Sequence, residues 1–165
     1  MNSIFCGMEK LSLVDFDGKL SCTLFTGGCN YRCPFCHNSP LIKEQPFLDL
    51  NEILDYLNKR KKMLDAVVIS GGEPTLHKEL PEILKLIKEL GYIIKLDTNG
   101  TNPKMLKELI ENKLIDYVAM DIKGSLNNYH LITGVNNPLL ENIKESINIL
   151  TKSNIDYEFR TTLVK

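Results

Sequence analysis

The chain has 165 residues, 43% hydrophobic and 25% charged, with ten Gly and seven Pro. That length predicts a single domain, and the composition excludes a disordered tail, a collagen and a coiled coil. Twenty basic against twenty-one acidic residues leave a net charge of −1, which argues against nucleic acid as a partner.

Leu20 to Phe25 reads as the first strand, rich in apolar and β-favouring residues. A cysteine-bearing segment follows it and ends near Pro40. Asp49 and Glu52 form a capping-box signature, and Leu50, Ile53, Leu54 and Leu57 then recur at helical spacing. Ala66 to Ile69 is a short apolar strand stopped by Ser70-Gly71-Gly72. Leu80, Ile83, Leu84, Ile87 and Leu90 mark a second helix that ends at Gly91. Tyr92 to Leu96 is the third strand, closed by Asp97-Thr98-Asn99-Gly100. Pro103 suits a helix start, with Leu106, Leu109 and Ile110 as its apolar stripe. Tyr117 to Met120 is the fourth strand. A loop from about Gly124 to Asn137 leads to a helix carrying Ile143, Ile147 and Leu150, and Tyr157 to Val164 is the fifth strand. No apolar run approaches the roughly 20 residues of a membrane span. Met1 to Lys10 lacks an apolar signal core, so a cytoplasmic protein with no membrane partner is expected.

Alternating strands and helices predict an α/β fold built from parallel βαβ units. The chemistry-bearing residues then fall at strand C-termini, where parallel sheets and barrels place their sites. Three of the five cysteines, Cys29, Cys33 and Cys36, have C-x3-C-x2-C spacing. Thiolates suit iron–sulfur clusters and zinc. Three on one loop can grip three corners of a cubane and leave the fourth iron open. Two alternatives stand beside this: zinc held by the same thiolates and His37, or buried structural cysteines without metal.

The segment Cys29-Asn30-Tyr31-Arg32-Cys33-Pro34-Phe35-Cys36, followed by Gly71-Gly72-Glu73-Pro74 on the next strand end, resembles the radical S-adenosylmethionine superfamily. Ser12 to Lys19, Leu96 to Gly100, Ala119 to Lys123 and Glu158 to Thr162 extend the likeness to the activating proteins of glycyl radical enzymes. Within these it is most similar to the anaerobic ribonucleotide reductase activating branch, with pyruvate formate-lyase activating enzyme as a cousin. Asp17 departs from the branch's usual Pro, and His77 from its frequent Gln.

The resemblance implies a partial (β/α)6 TIM-like barrel, here expected to be truncated after the fifth strand, with that strand as an open edge. It implies a [4Fe-4S] cluster on Cys29, Cys33 and Cys36, and S-adenosyl-L-methionine chelated at the open iron. Reductive cleavage would give a 5′-deoxyadenosyl radical that takes hydrogen from a glycine of the partner, expected to be anaerobic ribonucleotide reductase. Flavodoxin or ferredoxin would donate the electron. Cofactor contacts are expected from Phe35 beside adenine, from Gly71 and Gly72, which let backbone approach the methionine, and from Glu73 near its ammonium. Asp97, Thr98 and Asn99 would face the cofactor. Lys123 and Arg160 would meet the carboxylate, and Asp121 a ribose hydroxyl or substrate backbone. Rival functions are a radical enzyme acting on a small molecule, as in 7-carboxy-7-deazaguanine synthases, and a non-catalytic zinc or cluster-bearing interaction module.

The remaining polar features read as ordinary. Tyr31 and Arg32 are taken as surface residues, His77 and His130 as surface or packing residues, and Cys6 and Cys22 as non-ligands. Lys59-Arg60-Lys61-Lys62 closes a helix, where cations complement the dipole, and could dock an acidic electron donor.

Overall fold

A computed structural model describes residues 3–163. Six strands form one open sheet in the order β1-β2-β3-β4-β5-β6. They are β1 (Phe5–Ser12), β2 (Ser21–Thr26), β3 (Ala66–Gly71), β4 (Ile93–Thr98), β5 (Tyr117–Asp121) and β6 (Asp156–Arg160). β2 to β6 are parallel, and β1 pairs antiparallel with β2. Helices α1 (Leu50–Arg60), α2 (Leu80–Glu89) and α3 (Pro103–Glu111) fill the crossovers between β2 and β5, while α4 (Tyr129–Thr133) and α5 (Leu140–Lys152) join β5 to β6. The sheet is an α/β arrangement consistent with a partial barrel that is not closed.

Five predicted strands correspond to β2 through β6. β1 is an addition to that expectation. Its segment, Phe-Cys-Gly-Met-Glu-Lys-Leu-Ser, is broken by Gly7 and by Glu9-Lys10, and its middle residues are only partly covered. An edge strand paired on one side tolerates such a polar stretch. β6 ends at Arg160, short of the predicted Val164, which lies outside the described residues. The predicted loop from Gly124 to Asn137 contains a 3-10 turn and α4.

Alternation along each strand sorts side chains between two faces. Cys22, Leu24, Val67, Ile69, Ile94, Leu96, Val118 and Met120 face the helices and form the main core with Leu57, Ile83, Leu84, Leu109 and Leu150. Fully burying each such side chain stabilises the fold by about 1.5–3 kcal/mol. The other face turns inward. Near the N-terminal ends of the strands Phe16, Ala66 and Val68 fill it, and Phe16 comes from the loop between β1 and β2. Toward the C-terminal ends it becomes polar, with Ser70, Asp97, Asp121 and Arg160. The apolar floor and polar mouth place the site.

α1 begins with Asp49, whose carboxylate accepts from the Asn51 and Glu52 amides as the capping pattern predicts. The helix runs back toward the start of β3, so the basic run at its end, Lys59 to Lys62, lies at the strands' N-terminal ends. That is the opposite end of the sheet from Cys29, Cys33 and Cys36, and it separates the run from the expected electron entry.

Candidate active site

One cavity of about 610 Å³ opens at the C-terminal ends of β2 to β6. Cys29, Cys33, Phe35, Cys36, Gly71, Gly72, Glu73, Asp97, Thr98, Asn99, Asp121, Lys123 and Arg160 all line it. The fold thus brings every predicted site residue to one place. A larger open cleft of about 850 Å³ lies beside α3 and α5 near the strands' N-terminal ends. None of the predicted residues lines it.

The cysteine loop is held by its neighbours on three sides. Toward β3, the Gly72 amide donates to Thr26 O at 2.9 Å and the Glu73 amide to Gly28 O at 2.8 Å. The approach is so close that a Cβ at Gly72 would fall on the Gly28 carbonyl, and Gly71 holds φ +115° against the backbone of Thr26. His77, read from sequence as surface or packing, is half-buried with Nε2 2.8 Å from Gly27 O.

Toward β4, Asn30 Nδ2 donates to Thr101 Oγ1, Thr101 Oγ1 donates to Asn99 Oδ1, and Asn99 Nδ2 donates back to Asn30 Oδ1, at 2.8, 2.7 and 2.8 Å. This closed cycle spends the Asn99 side chain on the loops. Toward the segment after β5, the Arg32 amide donates to Thr133 O at 2.8 Å. Tyr31 is 1% exposed and its hydroxyl donates to Pro138 O at 2.7 Å. The expectation of a surface Tyr31 is therefore corrected: its ring packs edge-on to Tyr129 beneath the cysteine loop. Arg32 and His130 are exposed, as expected.

Glu73 is 1% exposed and takes four hydrogen bonds, from the Thr75 amide and hydroxyl, the Thr98 hydroxyl and the Asn99 amide. Burial pushes its carboxyl up, and these four donors pull it back. The carboxylate clasps the loops after β3 and β4 to each other. The glycines and Glu73 thus fit one another first, before any ligand.

A chain of charges crosses the mouth. Lys123 Nζ lies 2.8 Å from Asp121 Oδ2, Arg160 Nε 3.1 Å from Asp121 Oδ1, and Arg160 Nη1 3.5 Å from Asp97 Oδ1. Burial pulls the Lys123 ammonium down, but the charge and hydrogen bond of Asp121, joined by Cys33 and Tyr129, together outweigh it and the net shift is upward. Burial raises the Asp97 carboxyl against the pull of Arg160 and Lys95. Ser70 Oγ donates to Asp97 Oδ2 at 3.0 Å, while Asp97 Oδ1 has no hydrogen-bond donor. It is the one buried side-chain polar atom in this state among the described residues. A ligand cation with N–H donors suits it.

The thiols share the cavity wall. Burial pushes Cys29 up to about 11 and raises Cys33, where the Lys123 charge works in the opposite direction. Among the described residues no three His, Cys, Asp or Glu side chains converge as one metal ion would require. Three thiols on one loop beside a polar cavity are a donor set of the kind a cubane takes, at separated corners. Asp97 Oδ1, which has Arg160 and Lys95 nearby but no hydrogen bond, together with the Lys123 and Arg160 cations, fits the ammonium and carboxylate of an amino acid. Lys95 escaped the sequence reading, although a lysine within Ile93-Ile94-Lys95-Leu96 is a visible signal of an inward charge.

Comparison with known proteins gives the site a context. Residues 23–165 match the family model described as the Radical SAM superfamily. Two Methanocaldococcus jannaschii proteins, both under the provisional name glycyl-radical enzyme activating enzyme, match 99% of this chain at 39% and 31% identity. The chain covers 70% of the first and 61% of the second. Among solved structures, TYW1 with a lysine–pyruvate adduct bound superposes with a TM-score of 0.63 at 20% identity, over 88% of this chain and 56% of that one. That likeness concerns the fold. Among the described residues no helix is long and apolar enough to cross a membrane.

Proposed function

The chain belongs to the radical S-adenosylmethionine superfamily, whose members use a [4Fe-4S] cluster and S-adenosylmethionine, and we propose from this that it installs a glycyl radical on a partner enzyme. The two relatives that match 99% of the chain under a glycyl-radical activating name support this reading most directly. We take the partner to be anaerobic ribonucleotide reductase, the electron donor to be flavodoxin or ferredoxin, and the compartment to be the cytoplasm.

In this reading Cys29, Cys33 and Cys36 hold three irons of the cluster. When bound and reduced by one electron from the donor, the cluster would supply S-adenosylmethionine with the one-electron chemistry by which a hydrogen atom is removed from carbon. The chain's own residues bind, orient and shield. Asp97 Oδ1 accepts the methionine ammonium. Lys123 and Arg160 face the carboxylate, and Asp121 holds both cations in place. Phe35 offers its ring to adenine. Glu73, Thr98 and Asn99 fix the loops after β3 and β4 to each other and to the cysteine loop, and the floor around Phe16 keeps water from rising through the sheet. We take the described residues, 3–163, to belong to a single domain.

The test is anaerobic incubation of the reduced protein with S-adenosylmethionine and the reductase. A glycyl doublet by electron paramagnetic resonance is expected on the reductase. Steady 5′-deoxyadenosine release without that doublet would refute the partner and point to another substrate.

A further inference from the structure

Lys95 is a buried cation with no part in the chemistry proposed above. It precedes Asp97 by two residues on β4, so both side chains project into the lumen from one face. The residue is 5% exposed. Its Nζ donates to Asp15 O at 2.6 Å. The rings of Phe16 and Tyr117 flank it, with centroids 5.6 and 5.7 Å away. Carboxylate oxygens of Glu158 and Asp97 stand at 3.5 and 3.8 Å. A buried ammonium is costly unless paired and hydrogen-bonded. Ala66 and Val68 fill the same floor without charge, so an apolar side chain would meet the packing need.

We infer that Lys95 is a positioning residue, which from the lumen floor holds Asp97 as a carboxylate aimed at the cofactor and bolts the loop between β1 and β2 beneath the site. This rests on the reading that Asp97 faces the ammonium of S-adenosylmethionine. Few groups surround Asp97. Ser70 of β3 donates to it. Arg160 of β6 and Lys95 of β4 are the cations in reach. Asp121 of β5, Glu158 of β6 and Asp15 of the floor loop are the opposing acids. Arg160, the larger influence, is divided between Asp97 and Asp121, and Lys95 between Asp97 and Glu158, so neither cation alone compensates the Asp97 charge. Without Lys95 the Asp97 carboxyl takes its proton at higher pH, because burial then meets one cation in place of two. A protonated Asp97 loses its charge attraction for an ammonium. Cofactor affinity therefore falls as pH falls through that midpoint, and the fall begins at higher pH when Lys95 is gone.

Lys95→Met keeps a stem of similar bulk and removes the charge, whereas Lys95→Arg restores a charge. Lys95→Gln, which keeps a donor for Asp15, serves if Met disturbs folding. In the full chain, carbon-13 carboxyl resonances are titrated, with Asp97→Asn identifying the Asp97 signal. S-adenosylmethionine binding is measured over the same pH range. The Asp97 midpoint is expected to rise by about one pH unit or more in Lys95→Met and to return toward wild type in Lys95→Arg. Affinity in Lys95→Met is expected to be about tenfold weaker on the acid side and to rejoin wild type on the alkaline side. An unmoved Asp97 midpoint in a folded Lys95→Met protein overturns the inference. A moved midpoint, with Asp97→Asn binding the cofactor as wild type does, overturns the reading of Asp97 as a cofactor group while leaving the charge-holding role of Lys95 intact.

Discussion

Adding one methyl group at Gly72 should disable the site from within. A Cβ there meets the carbonyl of Gly28, which is backbone and cannot rotate away. The two loops must separate, and the bonds from the Gly72 amide to Thr26 O and from the Glu73 amide to Gly28 O, 2.9 and 2.8 Å long, are lost. Each buried amide left without a partner costs about 1–3 kcal/mol. Together the loss is about 2–6 kcal/mol, which lowers the melting temperature of a chain this size by roughly 4–24 °C. Gly28 adjoins Cys29, so the displacement passes straight to the cluster loop. A shift of about 1 Å at a reacting centre costs about 10²-fold in rate. Gly91→Ala is the control. Gly91 sits at φ +92° with nothing within 4 Å of an added Cβ, so only backbone strain of about 1–2 kcal/mol applies. Calorimetry, iron and sulfide content after anaerobic reconstitution, and cofactor cleavage rate together decide the matter. Gly72→Ala with wild-type melting and full iron content would refute the close-packed account of these loops.

Other substitutions separate roles within the cavity. Lys123→Ala should weaken S-adenosylmethionine binding about tenfold or more, equivalent to about 1.4 kcal/mol, with iron content unchanged; retained affinity removes Lys123 from the site. Cys33→Ala should abolish both the cluster and cofactor cleavage, measured by iron and sulfide analysis, and a colourless wild-type protein holding one zinc would overturn the cluster assignment itself. Tyr31→Phe strands the Pro138 carbonyl and should cost about 1–2 kcal/mol in chemical denaturation, with the cofactor cleavage rate per cluster unaltered. Reversing charge at Lys59 and Lys61 should leave the rate of cluster reduction by a flavodoxin or ferredoxin unchanged, because these residues lie at the opposite end of the sheet; a several-fold slower reduction would refute that placement.

The helix-facing half of the sheet was legible because its residues declare themselves one strand at a time. Val67, Ile69, Ile94, Leu96, Val118 and Met120 are apolar runs of the kind parallel strands show when both faces are covered. The cavity residues were legible because turns of fixed spacing follow those runs. β1 was not, because a strand paired on one edge needs few apolar residues, and its glycine and charged pair mask the alternation. The directions of individual side chains were less legible still. Glu73 has the residue type of an ammonium ligand, but Thr98 and Asn99, 25 and 26 positions further on, join neighbouring Thr75 on its carboxylate only once the strands align. Tyr31 looked like a surface residue because nothing near it in sequence reveals Pro138 and Tyr129 as its packing partners.

The three-sided anchorage of the cysteine loop has a bearing on how such a protein ages. Gly27 and Gly28 are bonded to the loop after β3, Asn30 to the loop after β4, and Tyr31 and Arg32 to the segment after β5. Whatever stabilises the ordered loop stabilises those pieces too, since a ligand that binds only the ordered form draws the population toward it by mass action. Loss of the cluster to oxygen would remove that draw from several segments at once. The chain should then open locally around the mouth while the helix-covered sheet stays folded. Oxidative damage would thus mark the molecule for proteolysis at a defined rim, and a reloaded cluster would shield it.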